Sequence, residues 1–100
     1  MELRHLRSFV YVAETLSFSI SASRCFVTQS AISQHIKALE DELKCKLLIR
    51  TSHSIMLTEN GEALLPRVKK ILKLTEDCKE HINALNNCMT GELRIGVGSF

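Results

Sequence analysis

Between Ser17 and Leu43 the chain reads SFSISASRCFVTQSAISQHIKALEDEL, and this stretch limits the possible folds more than any other. Wound at about 100° per residue, its second half carries two arcs that do not overlap. Ile32, Ile36, Leu39 and Leu43 occupy one, and Gln29, Ser30, Ser33, Gln34 and Lys37 occupy the other. A helix with one arc to bury and one arc of amides, hydroxyls and a single ammonium suits the major groove of duplex DNA. Those groups pair with base edges and touch phosphates. The first half reads as a shorter helix over residues 19–25, joined to the second by a tight turn. Ser17 or Ser19 caps it by accepting a bond from a free N–H of its first turn. Ala22 and Cys25 are expected to face inward, with Val27 closing the turn, and a bulky side chain at Ala22 would push the two helices apart. Thr28 caps the third helix, which runs to about Leu43.

The flanking segments build on this pair. Leu3, Leu6, Phe9, Val10 and Ala13 recur at helical spacing and predict an amphipathic helix over residues 3–15. After Leu43 come two short apolar runs, Leu47 to Thr51 and Ile55 to Thr58, around the polar tip Ser52-His53-Ser54. That pattern reads as a β-hairpin, and a hairpin directly after a helix-turn-helix is a wing. Thr58 caps a further helix, with Glu59 and Glu62 near its positive end. This helix is expected to reach about Met89, a length of about 45 Å, too long to lie only on a domain this small. Leu64, Val68, Ile71, Thr75, Cys78, Ile82, Leu85 and Met89 follow alternating steps of four and three, the seam of a coiled coil. The other reading of that stripe is a helix packed on its own domain. Thr90-Gly91 ends the helix, and the alternation of Leu93, Ile95 and Val97 in ELRIGVGSF reads as a strand.

The expected fold is therefore mainly α. A winged helix-turn-helix of three helices and a two-stranded wing covers residues 1–58, a dimerisation linker helix covers 59–89, and residues 90–100 begin a domain whose remainder is absent. A lone strand has no sheet to join, so the chain is expected to be a fragment of a longer protein.

Composition narrows the function. With 45% hydrophobic and 24% charged residues the chain is globular. Its net charge of +2 says less than its distribution: Glu40-Asp41-Glu42 is acidic, while Arg67, Lys69, Lys70 and Lys73 form a basic run that reads as a solvated helix face. The four cysteines, at 25, 45, 78 and 88, include no C-x-x-C pair, and Cys25 and Cys78 read as free buried thiols. Cys78 and His81 stand one helical turn apart, but two ligands make no closed metal site, so no metal is expected. The N-terminus has no apolar run of signal-peptide length, and no segment approaches ~20 consecutive apolar residues, so a cytoplasmic chain is expected. No nucleophile elbow, metal-ligand set or phosphate loop is present, and the serines sit where caps and turns need them, so no enzyme is expected.

In order and spacing, four segments resemble the N-terminal part of LysR-type transcriptional regulators: MELRHLRSFVYVAETLSFS, VTQSAISQHIKALEDEL, LLIRT and LTENGEALL. The resemblance covers residues 1 to about 89, and LRIGVGS is similar to the first strand of that family's effector-binding domain. It implies a regulator that binds an interrupted inverted repeat in double-stranded DNA as a homodimer, with antiparallel linker helices. It also implies a tetramer for the full-length protein and a small-molecule coinducer held by an α/β domain missing here, with no cofactor in this fragment. Carried over by position, Gln29, Ser30, Ser33, Gln34 and Lys37 face the bases. Ser19, Thr28 and Arg50 contact the DNA backbone, with His53 near the wing tip.

Several positions depart from the family pattern. Ser30 stands where proline is common, which removes a preset φ and adds a hydroxyl. Gln34 replaces a frequent arginine, exchanging a guanine-seeking fork for an amide better matched to adenine. Lys44 stands where glycine is usual. Ser52, His53, Ser54 and Met56 stand where glycine, arginine or other basic residues are common, so none of these four positions offers the arginine with which the family reaches the minor groove. Phe26, at a turn position that favours small or polar residues, either packs against Phe18 or is partly exposed. Arg50 either contacts phosphate or pairs with the Glu40–Glu42 cluster. His35 lies near the apolar arc and reads as a packing residue. The alternative function is a protein-interaction module that uses the linker helix and the apolar wing residues Ile49 and Met56.

Overall fold

Hydroxyl side chains start three of the four helices in the computed structural model, which describes residues 1–97, with side chains through residue 87. The elements run α1 (Leu3–Thr15), α2 (Phe18–Cys25), α3 (Gln29–Leu43), β1 (Leu48–Arg50), β2 (Ile55–Leu57) and α4 (Glu59–Val97). This is a winged helix-turn-helix followed by a long helix. Ser17, not Ser19, caps α2, accepting from the Ile20 N–H at 3.1 Å. Thr28 caps α3 through the Ala31 N–H at 3.0 Å, and Thr58 caps α4 through the Gly61 N–H at 3.0 Å. Each cap satisfies one of the backbone donors that a helix start leaves free.

The core forms where α1, α2, α3 and the first turns of α4 meet. Leu6, Phe9 and Val12 of α1 pack with Phe18 and Ala22 of α2 and with Ile32, Ile36 and Leu39 of α3. Leu47, Leu48 and Val68 close it. Ser21 is buried as well, its hydroxyl donating to the Ser17 carbonyl at 2.8 Å. Two expectations are corrected here. Cys25 is only half-buried, because Phe18 and Ser21 join Ala22 on the inward face of α2. Leu43 is exposed although it shares the arc of Ile32, Ile36 and Leu39, because it sits on the last turn of α3. Val27 donates its N–H to the Ala22 carbonyl at 3.0 Å but leaves its side chain partly in solvent.

The wing is a two-stranded antiparallel sheet in the register Leu48↔Leu57, Ile49↔Met56 and Arg50↔Ile55. Thr51 shapes its tip, accepting from the Ser54 N–H at 3.0 Å on its hydroxyl and donating its own N–H to the Ser54 carbonyl at 2.9 Å. At the base, the Thr58 hydroxyl donates to the Lys46 carbonyl at 2.6 Å. Gly61 lies against the Leu47 carbonyl so closely that any side chain there would collide with it.

Only the start of α4 belongs to this domain. Val68 is 0% exposed in the core, with Leu64, Leu65 and Leu72 half-buried around it, and Lys69 pairs with Glu14 of α1 at 2.6 Å. From residue 76 through residue 87 every side chain is exposed, and the molecule measures 59 × 24 × 19 Å. The heptad seam is thereby divided. Val68 and much of Leu64 pack on their own domain, Thr75 is half-buried, and Ile71, Cys78, Ile82 and Leu85 face solvent. Cys78 is thus exposed rather than a buried thiol. The side chain of Met89 lies outside the described residues.

The helix also continues to Val97, where the sequence predicts an end at Thr90-Gly91 and a strand over 93–97. A strand satisfies its backbone only against a neighbouring strand, whereas a helix pairs those groups within the segment. Over residues 91–97 the local solution is the one formed.

Candidate nucleic-acid interface

The polar arc of α3 is open. Gln29, Ser30, Gln34 and Lys37 are exposed, and Ser33 is half-buried at the junction with the wing. The apolar arc of the same helix holds this face outward, because Ile32, Ile36 and Leu39 are committed to the core.

Between α3 and β1 lies a groove of about 590 Å³. Ser30, Ser33, Gln34 and Lys37 line its helix side, and Ile49 and Arg50 line its wing side. Arg50 is held from two directions. Its Nη2 donates to Ser33 Oγ at 3.2 Å, and its guanidinium carbon lies 4.2 Å from the centroid of the Phe18 ring. The aromatic face attracts the cation and also limits its rotamers, so the charge is presented at a defined place. Among the described residues Arg50 has no carboxylate partner, so the expected alternative pairing with Glu40–Glu42 is not formed.

Glu40 does something else. Its Oε2 accepts from the N–H groups of Leu47 at 2.8 Å and Leu48 at 3.3 Å, and its Oε1 lies 3.8 Å from Lys46 Nζ. The carboxylate therefore fixes the start of the wing to α3. Lys46 reaches the same groove, a position the sequence reading did not single out. Its signal is faint: a lysine just before the first wing strand. Lys37 lies 3.9 Å from Asp41, an exposed pair of small energetic weight that leaves the ammonium free to move.

The remaining candidates lie outside the lining of this groove. Ser19 is exposed in the first turn of α2, and Thr28 is exposed just ahead of α3 with its hydroxyl engaged as a cap. His53 is exposed at the wing tip, its N–H donating to Thr51 Oγ1 at 3.4 Å. The structure brings Ser30, Ser33, Gln34, Lys37 and Arg50 to one groove; Gln29, Ser19, Thr28 and His53 do not line it.

His35 turns the other way, as its place near the apolar arc suggested. Its Nδ1 lies 2.7 Å from Ser8 Oγ, and its ring stacks on that of His5 with centroids 4.9 Å apart. Burial lowers its pKa below the ordinary imidazole value, the neighbouring His5 and Arg4 lower it further, and Glu2 opposes them. Phe26 is almost wholly in solvent rather than packed against Phe18, whose ring lies beneath Arg50. Among the described residues no three His, Cys, Asp or Glu side chains gather to hold a metal ion, and no helix is long and apolar enough to cross a membrane.

Residues 3–62 match the model of the bacterial regulatory helix-turn-helix proteins of the lysR family. An uncharacterized HTH-type transcriptional regulator from the ibpB-leuC intergenic region of Azotobacter vinelandii is 43% identical over 97 residues, covering 97% of this chain and 67% of the relative. The uncharacterized HTH-type transcriptional regulator YnfL of Escherichia coli (strain K12) is 42% identical over 99 residues, covering 99% of this chain and 33% of the relative. The chain thus spans about a third of the length of that second relative. Among solved structures, the BenM_DBD/catB site 1 DNA complex superposes with a TM-score of 0.81 at 34% identity, covering 85% of this chain and 94% of that one.

Proposed function

The chain belongs to the lysR family of bacterial regulatory helix-turn-helix proteins, and from that premise we propose that it is the DNA-binding part of a sequence-specific transcriptional regulator. One observation carries the reading. The amide- and hydroxyl-rich arc of α3 stands open beside a guanidinium that Ser33 and Phe18 hold in place. The similarity to a BenM domain in complex with DNA supports the same reading.

In this proposal α3 enters the major groove. Gln29 and Gln34 pair with base edges, Ser30 and Ser33 supply shorter contacts, and Lys37 reaches a base edge or a phosphate. Thr28, Ser19 and Arg50 set the register on the sugar–phosphate chain, with His53 at the wing tip. The exposed apolar residues of the heptad stripe on α4, namely Ile71, Cys78, Ile82 and Leu85, pair two copies, so the preferred site is an interrupted inverted repeat. Half-sites then lie about one helical turn, or a multiple of it, apart.

For a longer protein containing this chain, the same family reading proposes a tetramer, a small-molecule coinducer bound by a domain that follows α4, and a place in the cytoplasm. It assigns the chain no catalytic step.

The test is selection of bound duplexes from a random pool, followed by titration of the recovered sequence and a random duplex at two salt concentrations. An inverted repeat that is bound more tightly than random duplex, with affinity falling as salt rises, is expected. Absence of any salt-sensitive binding overturns the proposal.

A further inference from the structure

A second surface lies on the other side of the recognition helix. At ~100° per residue, His35 stands about 170° around α3 from the middle of the Gln29–Lys37 arc. Beside it, α1 and the turn between α2 and α3 enclose a recess of about 360 Å³. Cys25, Phe26 and Val27 form its apolar part, and Arg4, Arg7 and Arg24 contribute three guanidinium groups.

Two features of this recess are unexplained by packing or by the duplex-reading face. Phe26 is 93% exposed and holds φ at 58°, in the left-handed region. That conformation ends α2 as it ends α1 at Leu16 and α3 at Lys44, yet asparagine or glycine would adopt it with less strain, and the aromatic ring gains no burial in return. Arg7 and Arg24 have no carboxylate partner among the described residues, whereas Arg4 pairs with Glu2 at 2.9 Å. An unburied aromatic ring beside two uncompensated guanidiniums complements a segment in which carboxylates flank an apolar side chain.

We propose that this recess docks an acidic segment of a partner protein, with an apolar side chain of that segment seated against Phe26 and its carboxylates on Arg7 and Arg24. His35, the wall that α3 gives to the recess, faces away from the polar arc, so the partner is accommodated while the duplex occupies that arc. A nucleic-acid backbone would supply negative charge but no apolar group for the exposed ring, which is why a protein segment fits better.

The probe is a short fluorescein-labelled peptide in which glutamates flank a central Leu-Phe pair, titrated by anisotropy against the whole chain with and without bound duplex. Saturable binding that persists with duplex present is expected. It weakens roughly tenfold or more in Phe26→Asn, in Arg7→Gln with Arg24→Gln, and when the peptide's glutamates become glutamines. Phe26→Asn keeps the backbone conformation without the aromatic strain, so it folds and binds duplex as the parent does. No saturable peptide binding, unchanged binding to the variants, or displacement of the peptide by duplex overturns the proposal. A duplex affinity that falls in the arginine variants as much as the peptide affinity does also overturns it, and reassigns the recess to phosphate contact.

Discussion

Arg50 of β1 donates from Nη2 to Ser33 Oγ of α3 across 3.2 Å, so a side-chain bond joins the wing to the helix that carries the reading face, beyond the Glu40 contacts at the base of the wing. The guanidinium is thereby held at the groove with no carboxylate among the described residues to neutralise it. A phosphate meeting it would gain a partner whose side-chain freedom is already reduced.

Arg50→Ala is expected to weaken binding to cognate and random duplexes alike. It should lower the slope of log affinity against log salt by about one, the signature of a single lost phosphate contact. Titrations at several salt concentrations measure it, and an unchanged slope would return Arg50 to a purely structural role.

Gln29→Ala should act differently. A bidentate amide contact contributes about 1–3 kcal/mol of discrimination between bases, so the variant should lose preference for its selected site while keeping most of its affinity for random duplex. Competition between the two duplexes reads this directly, and equal losses on both would reject the assignment.

His35 gives the fold a pH dependence. Burial and the nearby His5 and Arg4 hold its pKa below the unfolded value of about 6.5, so the unfolded chain binds the proton more readily than the folded one. Its contribution to stability is complete above about pH 6.5, declines as pH falls below that value, and is lost once pH passes the folded-state pKa. Urea midpoints from about pH 8 to about pH 5 should fall on the acid side, and His35→Gln should flatten that fall. A midpoint that rises on acidification would contradict the assignment.

Gly61→Ala places a methyl group against the Leu47 carbonyl. Backbone cannot rotate away as a side chain can, so α4 must shift from the wing, at a cost of about 1–3 kcal/mol. Chemical denaturation monitored by circular dichroism should show it.

Ile71→Asp combined with Ile82→Asp tests the exposed stretch of α4. Both side chains face solvent, so the domain should stay folded while sedimentation shows the loss of dimer and operator binding weakens. Val68→Ala should do the reverse, lowering stability on the order of 2 kcal/mol because it opens the core of its own domain. A doubly substituted chain that still dimerises and binds as tightly as the parent would remove α4 from the interface.

Much of the fold was legible because it is written in local signals. Thr28 and Thr58 cap where hydroxyls precede apolar periodicity, and Ile32, Ile36 and Leu39 are buried where the spacing placed them. The polar arc of α3 follows from the same count, since burying one side of a helix exposes the other. The less legible parts involve partners distant along the chain. Glu40 looked like one of three surface acids and instead receives two backbone N–H groups from the start of the wing. Arg50 had two plausible partners, a phosphate or the acidic cluster, and the fold gave it Ser33 and Phe18.

The sequence by itself determined where the helices begin, which arcs are apolar and which side chains of α3 carry hydrogen-bonding groups, because each depends on residues within a turn or two. Only the tertiary structure decided what covers each arc. Val68 and Ile71 lie on one heptad stripe, yet the first closes the domain core and the second faces solvent, because α1 meets α4 at one of them and not at the other. Periodicity says which side of a helix must leave water; the distance to another element settles whether its own domain or a second molecule provides the shelter.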